Sequence, residues 1–94
     1  MTQIVQHDKD AKQFFIQKDF VRAYLAYEQK SDTVLDFRST FVPEIFRGKG
    51  IAADLVKAGL AYATQNHFTV IPTCSYVDTY IKRHLDEYGP LLAR

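Results

Sequence analysis

From Ile4 to Val42 hydrophobic and polar positions alternate with a period of two, which predicts strands rather than helices. Ile4 to His7 reads as a weak first strand, and Asp8-Lys9-Asp10 separates it from Gln13 to Lys18, which carries Phe14, Phe15 and Ile16. Lys18-Asp19 breaks that run. From Val21 to Gln29 the alternation is regular, with Val21, Ala23, Leu25 and Tyr27 on one face and Arg22, Tyr24, Ala26 and Glu28 on the other. Lys30-Ser31-Asp32-Thr33 has hairpin-loop composition, and Val34 to Val42 returns with Leu35, Phe37 and Phe41 on one face. These segments predict an antiparallel meander.

Pro43 stops the ladder because it has no N–H to donate and fixes its own φ. From Gly50 to Asn66 the period changes to 3.6: Ile51, Ala52, Leu55, Val56, Leu60, Tyr62 and Ala63 share a face, with Asp54, Lys57, Thr64 and Gln65 turned away. The pattern predicts an amphipathic helix of about four to five turns. Gly59 inside it costs roughly 1 kcal/mol relative to Ala, which points to close packing against the sheet. Phe68 to Pro72 is long enough for a buried strand and too short for a helix. Following a crossover helix, it is expected to lie parallel to the strand that ends at Val42. Ser75 with Asp78 fits a capping box, so a second helix is expected over Tyr76 to about His84. Glu87-Tyr88-Gly89-Pro90 reads as a turn, with Leu91 and Leu92 tucking back as a tail. The expected class is α+β: an antiparallel β-meander, a βαβ crossover and a short C-terminal helix, forming one domain over residues 1–94.

Composition narrows the function. At 94 residues with 47% hydrophobic positions, the chain has the balance of one ordinary soluble domain. Folding at this size buries only about 60% of the surface of the unfolded chain, so one compact core must hold it, and six Tyr and seven Phe supply bulk. Twelve Lys and Arg against eleven Asp and Glu leave a formal net charge of +1, without the basic excess of a nucleic-acid or anionic-membrane binder. The single cysteine, Cys74, rules out an intramolecular disulfide or a Cys-paired zinc site and suits a reducing compartment, so a cytoplasmic location is expected. No run approaches the roughly 20 apolar residues of a membrane span, and the polar start Met1 to Asp10 lacks a signal-peptide core, so neither export nor membrane insertion is expected. His7, His67 and His84 show no ligand spacing, and no metal site is expected.

The chemistry concentrates in Phe46-Arg47-Gly48-Lys49-Gly50-Ile51-Ala52-Ala53, at the mouth of the long helix. No Ser, Thr, Asp or Asn caps that helix, whose first N–H groups need an acceptor. An anion would serve: glycines allow close backbone approach, and the helix start favours negative charge. The alternative is a helix entry capped by water. A P-loop would need Gly-x-x-x-x-Gly-Lys-Ser/Thr, which is missing. Gly48-x-Gly50-x-x-Ala53 matches a loose dinucleotide fingerprint, but no acidic residue follows around Phe68 to Ile71, and an antiparallel meander contradicts a doubly wound sheet. A third pattern, Arg-x-x-Gly-x-Ala, is met by Arg47, Gly50 and Ala52.

Strands, then Val42-Pro43-Glu44 and Arg47-Gly48-Lys49-Gly50-Ile51-Ala52, then a helix and a strand, resemble the acetyl-CoA pyrophosphate loop of the GNAT N-acetyltransferase superfamily. The chain is also similar to a very small single-domain GNAT-like family, through Thr40-Phe41-Val42-Pro43 before the loop and Pro72-Thr73-Cys74-Ser75 after the helix, followed by Tyr76, Tyr80 and Arg83-His84. The resemblance implies a minimal acyl-CoA N-acyltransferase fold with a splayed mixed sheet. It places the pantetheine arm between the strand at Thr40 to Val42 and the strand at Phe68 to Thr73, held by backbone of Phe41 and Val42. It puts the pyrophosphate on the amides of Arg47, Gly48, Lys49, Gly50, Ile51 and Ala52, with the two cations adding charge at the rim. Against that resemblance the final hairpin of larger GNAT enzymes is expected to be missing, and with it one wall of the usual acceptor site.

The resemblance further implies transfer from acetyl-CoA to an amine acceptor, a small molecule or a protein. Cys74, near the expected thioester, has three readings: a nucleophile forming acetyl-cysteine, a polar contact, or a small buried hydrophobe. Tyr80 is the best-placed equivalent of the tyrosine that protonates CoA sulfur in larger members, with Tyr76 behind it, although their usual Asn at the strand end is replaced. Glu44 is a candidate base and His84 a candidate phosphate contact. Direct transfer in a ternary complex is the leading expectation. A non-catalytic CoA-binding module and a protein-interaction domain whose glycine turn is only a turn are the alternatives.

Overall fold

Strands form where the period-two pattern sets them, with ends moved by tertiary pairing. The computed structural model describes residues 4–93 and joins β1 (Gln6–Asp8), β2 (Gln13–Lys18), β3 (Val21–Gln29), β4 (Val34–Phe41) and β5 (Thr69–Ile71) into one sheet in that order. The first four strands are antiparallel neighbours, and β5 runs parallel to β4, as expected after a crossover. The expected first strand Ile4 to His7 is displaced: Ile4 is exposed, and His7 opposite Phe14 sets the register. The His7 ring stacks on Phe14 at 4.1 Å, and its Nε2 lies 2.7 Å from the Tyr27 hydroxyl. A half-buried histidine thus ties the edge strand to its neighbours, while Ile4 stays outside it.

Helix α1 (Ile51–Gln65) packs on β2 to β5 through Ile51, Leu55, Val56, Leu60 and Ala63, all buried against Phe14, Ile16, Leu25, Leu35, Phe37 and Val70. Each large side chain fully buried there contributes about 1.5–3 kcal/mol of transfer free energy. Gly59 meets the sheet as expected: a Cβ built on it would stand 3.0 Å from Leu25 Cδ2 and 3.1 Å from Phe37 Cζ. Helix α2 (Ser75–Arg83) packs against β4 and α1 with Val77 and Ile81 inward. Its expected capping box does not form. Ser75 is already helical and Cys74 is the N-cap, because the Cys74 N–H is taken by the Phe37 carbonyl at 2.8 Å while its own carbonyl receives the Asp78 N–H.

Two further expectations are corrected. Phe41 does not share a face with Leu35 and Phe37. Ala26 pairs with Ser39 but Tyr27 with Phe37, so Arg38 is an extra residue, a bulge that inverts the faces of the residues after it. Thr40 therefore joins Leu25 on the helix side, while Phe41 pairs with Tyr24 on the other, 49% exposed. The Glu87–Pro90 turn is instead α3 (Leu85–Tyr88) followed by a 3-10 turn at Gly89–Leu91. The tail continues the sheet: Leu92 bridges Val70 in parallel, and the Ala93 N–H donates to the Val70 carbonyl at 2.9 Å. Among the described residues no helix is long and apolar enough to cross a membrane.

Gly59→Ala gains about 1 kcal/mol of helix propensity but drives a methyl into Leu25 and Phe37, where overpacking costs about 1–3 kcal/mol. We expect net destabilisation, larger for Gly59→Val, in denaturant titrations. Burial, then the charge of Lys9, lowers the His7 pKa from its ordinary 6.5, with Asp8 opposing. The unfolded chain then binds the proton more readily, so stability present above about pH 6.5 is lost as pH falls through the folded-state value. Thermal melts should decline over that acid range, and His7→Gln should flatten the decline.

Candidate functional site

After the bulge, β4 leaves β5. Their ladder runs from Val34 opposite Thr69 to Asp36 opposite Ile71, and the last backbone link is the Cys74 N–H to the Phe37 carbonyl. Two side-chain bonds cross at the point of divergence. The Thr73 hydroxyl donates to Asp36 Oδ1 in a short hydrogen bond, and Thr40 Oγ1 lies 3.4 Å from Cys74 Sγ. Asp36 is the buried charged residue of the core, and its other oxygen meets Arg38 Nη1 at 3.5 Å, which also reaches Glu28 at 3.3 Å. Sequence reasoning missed Asp36. Its signal was an acid set between Leu35 and Phe37, where alternation alone would place a surface residue.

Beyond Phe41 the chain enters the glycine loop. Pro43 opens a 3-10 turn over Glu44–Phe46, and Phe46, 3% exposed, pins it to the core. Gly48 and Gly50 follow with φ of 80° and 73°, conformations that glycine adopts without steric cost. Gly50 is the N-cap of α1 and supplies no side-chain bond. A Cβ on either glycine would meet nothing within 4 Å, so the side of the loop that side chains would occupy is open. A groove of about 190 Å³ lies here, lined by Val42, Phe46, the loop, the first turn of α1 and Tyr76 of α2. That volume suits one segment of a ligand rather than a drug-sized whole. The expected amide of Arg47 is not available, because its N–H donates to the Glu44 carbonyl at 3.0 Å as it closes the 3-10 turn. The amides that follow it, the open cradle and two nearby cations fit a diphosphate. Asp54 in the first turn of α1 is the opposing charge. Arg47 is exposed with its Nε donating to the Val42 carbonyl at 3.3 Å, and Lys49 is exposed. Neither forms an ion pair among the described residues.

The structure thus brings together Thr40 with Cys74, and the loop with Tyr76. It keeps other candidates apart. Cys74 is buried, and among the described residues Thr40 is the one side-chain hydrogen-bond partner of its sulfur. Tyr80 stands one turn beyond Tyr76, its ring stacked on His84 at 4.4 Å, with no hydrogen bond to Thr40 or Cys74 among those residues. Burial, then the charges of Glu87 and Asp54, raises the Tyr80 pKa above 10.0. Glu44 is exposed on the 3-10 turn, and His84 Nδ1 is bound to the Tyr80 carbonyl at 2.8 Å.

The chain is similar to known proteins in sequence and in fold. The chain is 34% identical over 82 residues to Protein NATD1 of Mus musculus, a match spanning 85% of this chain and 74% of that one. Protein NATD1 of Homo sapiens is 34% identical over the same length, with 73% of it covered. In fold, the chain superposes on the NMR solution structure of a GCN5-like putative N-acetyltransferase from Staphylococcus aureus with a TM-score of 0.75 at 21% identity, covering 96% of this chain and 87% of that one. The family model of the GCN5-related N-acetyl-transferases matches residues 13–91, which takes in β2 to β4, the glycine loop, the crossover and both helices that flank the divergence of β4 and β5. An α+β sheet splayed beside a glycine-started helix is the structural counterpart of that match, and the chain belongs to the GCN5-related N-acetyltransferase family.

Proposed function

We propose that this protein is an acetyl-CoA-dependent N-acetyltransferase that passes the acetyl group directly to a primary amine within a ternary complex. The observation that carries the proposal is the uncapped start of α1 between two positive-φ glycines, set beside the opening between β4 and β5. The amides from Gly48 to Ala52 would donate to the pyrophosphate, with Arg47 and Lys49 adding charge that salt screens. Backbone at Thr40 to Val42 would hold the pantetheine arm as an added strand does, in the space β5 vacates. The acyl thioester would then lie near the Thr40–Cys74 pair, which supports it as a polar contact. Attack by the neutral amine nitrogen forms the amide C–N bond and breaks the C–S bond; one proton leaves nitrogen and one reaches the CoA thiolate.

Thr40 beside Cys74 favours direct transfer over acetyl-cysteine, because a hydroxyl does not act as the base a nucleophilic thiol requires. The same lack of a base hydrogen-bonded to this pair favours the second reading, a module that binds acyl-CoA without turnover. Acetylation of any amine by the CoA-binding protein decides against it.

Gly50→Asn places a side chain in the cradle while keeping a residue that tolerates the left-handed conformation. We expect CoA affinity to fall at least about tenfold by calorimetry, with stability changed by less than about 1 kcal/mol. Equal loss of both would make the turn purely structural. Intact-mass measurement after incubation with acetyl-CoA alone should show no gain of about 42 Da on Cys74, the mass of a covalent acetyl intermediate. Cys74→Ser should retain more turnover than Cys74→Ala, and a stoichiometric adduct discharged by amine would establish the nucleophilic route instead.

A further inference from the structure

Helix α2 carries a groove beside the stripe it buries. Val77 and Ile81 point inward and Tyr80 is half-buried against the core, and Tyr76, Thr79, Tyr80, Arg83 and His84 line a groove of about 180 Å³. Tyr76 also lines the glycine-loop groove, so the two grooves share a wall residue. The new groove has aromatic faces at one end and a cation at the other. Its geometry is held: Tyr80 and His84 stack at 4.4 Å with 25° between their planes, Tyr88 backs Tyr80 at 5.9 Å, and His84 Nδ1 is bonded to the Tyr80 carbonyl at 2.8 Å. Lys82 is engaged by Asp78 at 2.9 Å, whereas Arg83 is exposed and makes no ion pair among the described residues.

A diphosphate seated in the glycine loop has two arms. One is the thioester arm that enters between β4 and β5. The other, in coenzyme A, is an adenosine bearing a 3′-phosphate, and it needs a flat apolar surface and a cation within reach of the loop. Resting on the acetyl-CoA reading above, we propose that the outer face of α2 is the subsite for this arm, with adenine against Tyr76 and Tyr80 and the 3′-phosphate at Arg83 and His84. Tyr80 then serves through its ring as a groove wall, in place of the thiolate-donor role implied by resemblance. Because Asp54 and Glu87 put negative charge on the Tyr80 hydroxyl's surroundings, the phosphate depends on Arg83 for its attraction.

Calorimetry with CoA and with 3′-dephospho-CoA, on the wild type and on Arg83→Ala, tests this. The wild type should bind CoA about tenfold more tightly than the dephospho form, and Arg83→Ala should lose that preference while its affinity for dephospho-CoA and its melting temperature stay unchanged. Tyr80→Ala should weaken binding of CoA and of 3′-dephospho-CoA alike, because it removes a wall of the groove and leaves the cation in place. Tight CoA binding that ignores the 3′-phosphate, or an Arg83→Ala loss equal for both ligands, overturns the subsite while leaving the acetyl-CoA reading in place. No CoA binding by the wild type overturns both.

Discussion

The molecule depends on where β4 lets go of β5. A parallel pair of three residues is short, and it ends because the bulge at Arg38 bends β4 away while Cys74 is already starting a helix. The gap is kept from closing or widening by three bonds of different kinds: a backbone bond to Phe37, a hydroxyl–carboxylate bond from Thr73 to Asp36, and the Thr40–Cys74 contact. The middle one joins a hydroxyl to the carboxylate of buried Asp36. Arg38, the bulge residue itself, turns back to the Asp36 carboxylate. The residue that opens the sheet thus also compensates the acid that pins the opening.

Much of this was legible in the sequence because local physics governed it. Alternation marked β2, β3 and most of β4, Pro43 marked the end of the ladder, and the 3.6 period marked α1 to within a residue at each end. Gly48 and Gly50 announced a left-handed turn before an uncapped helix, and the spacing of Thr40 and Cys74 around the crossover carried the family resemblance. What escaped was set by partners far along the chain. Nothing near Arg38 signals a bulge, and one unpaired residue reverses Phe41 and Thr40. The Ser75 box had the right letters, but the Cys74 amide was claimed by β4 first. His7 outcompeted Ile4 for the edge strand because its ring can both stack and hydrogen-bond.

The two faces of the sheet are finished differently. Both main helices cover the face of Leu25 and Phe37, and the other is closed by long polar side chains lying on aromatics, as where the Arg22 guanidinium sits 3.8 Å from the Phe15 ring centre. Arg22 is also tied to Gln13 and Gln17 at 3.1 and 2.9 Å. A small chain covers apolar surface in this way without a further layer of helices.

The crossing bonds also differ from the hairpins in what they ask of the chain. Hairpins of the meander join neighbours in sequence, whereas Thr40 with Cys74 and Asp36 with Thr73 are separated by 34 and 37 residues. Each must offset the closure entropy of a long loop that holds α1, a cost that rises only slowly with loop length. The opening between the strands therefore rests on non-local contacts, whose entropic cost falls on the chain as a whole and not on any one hairpin.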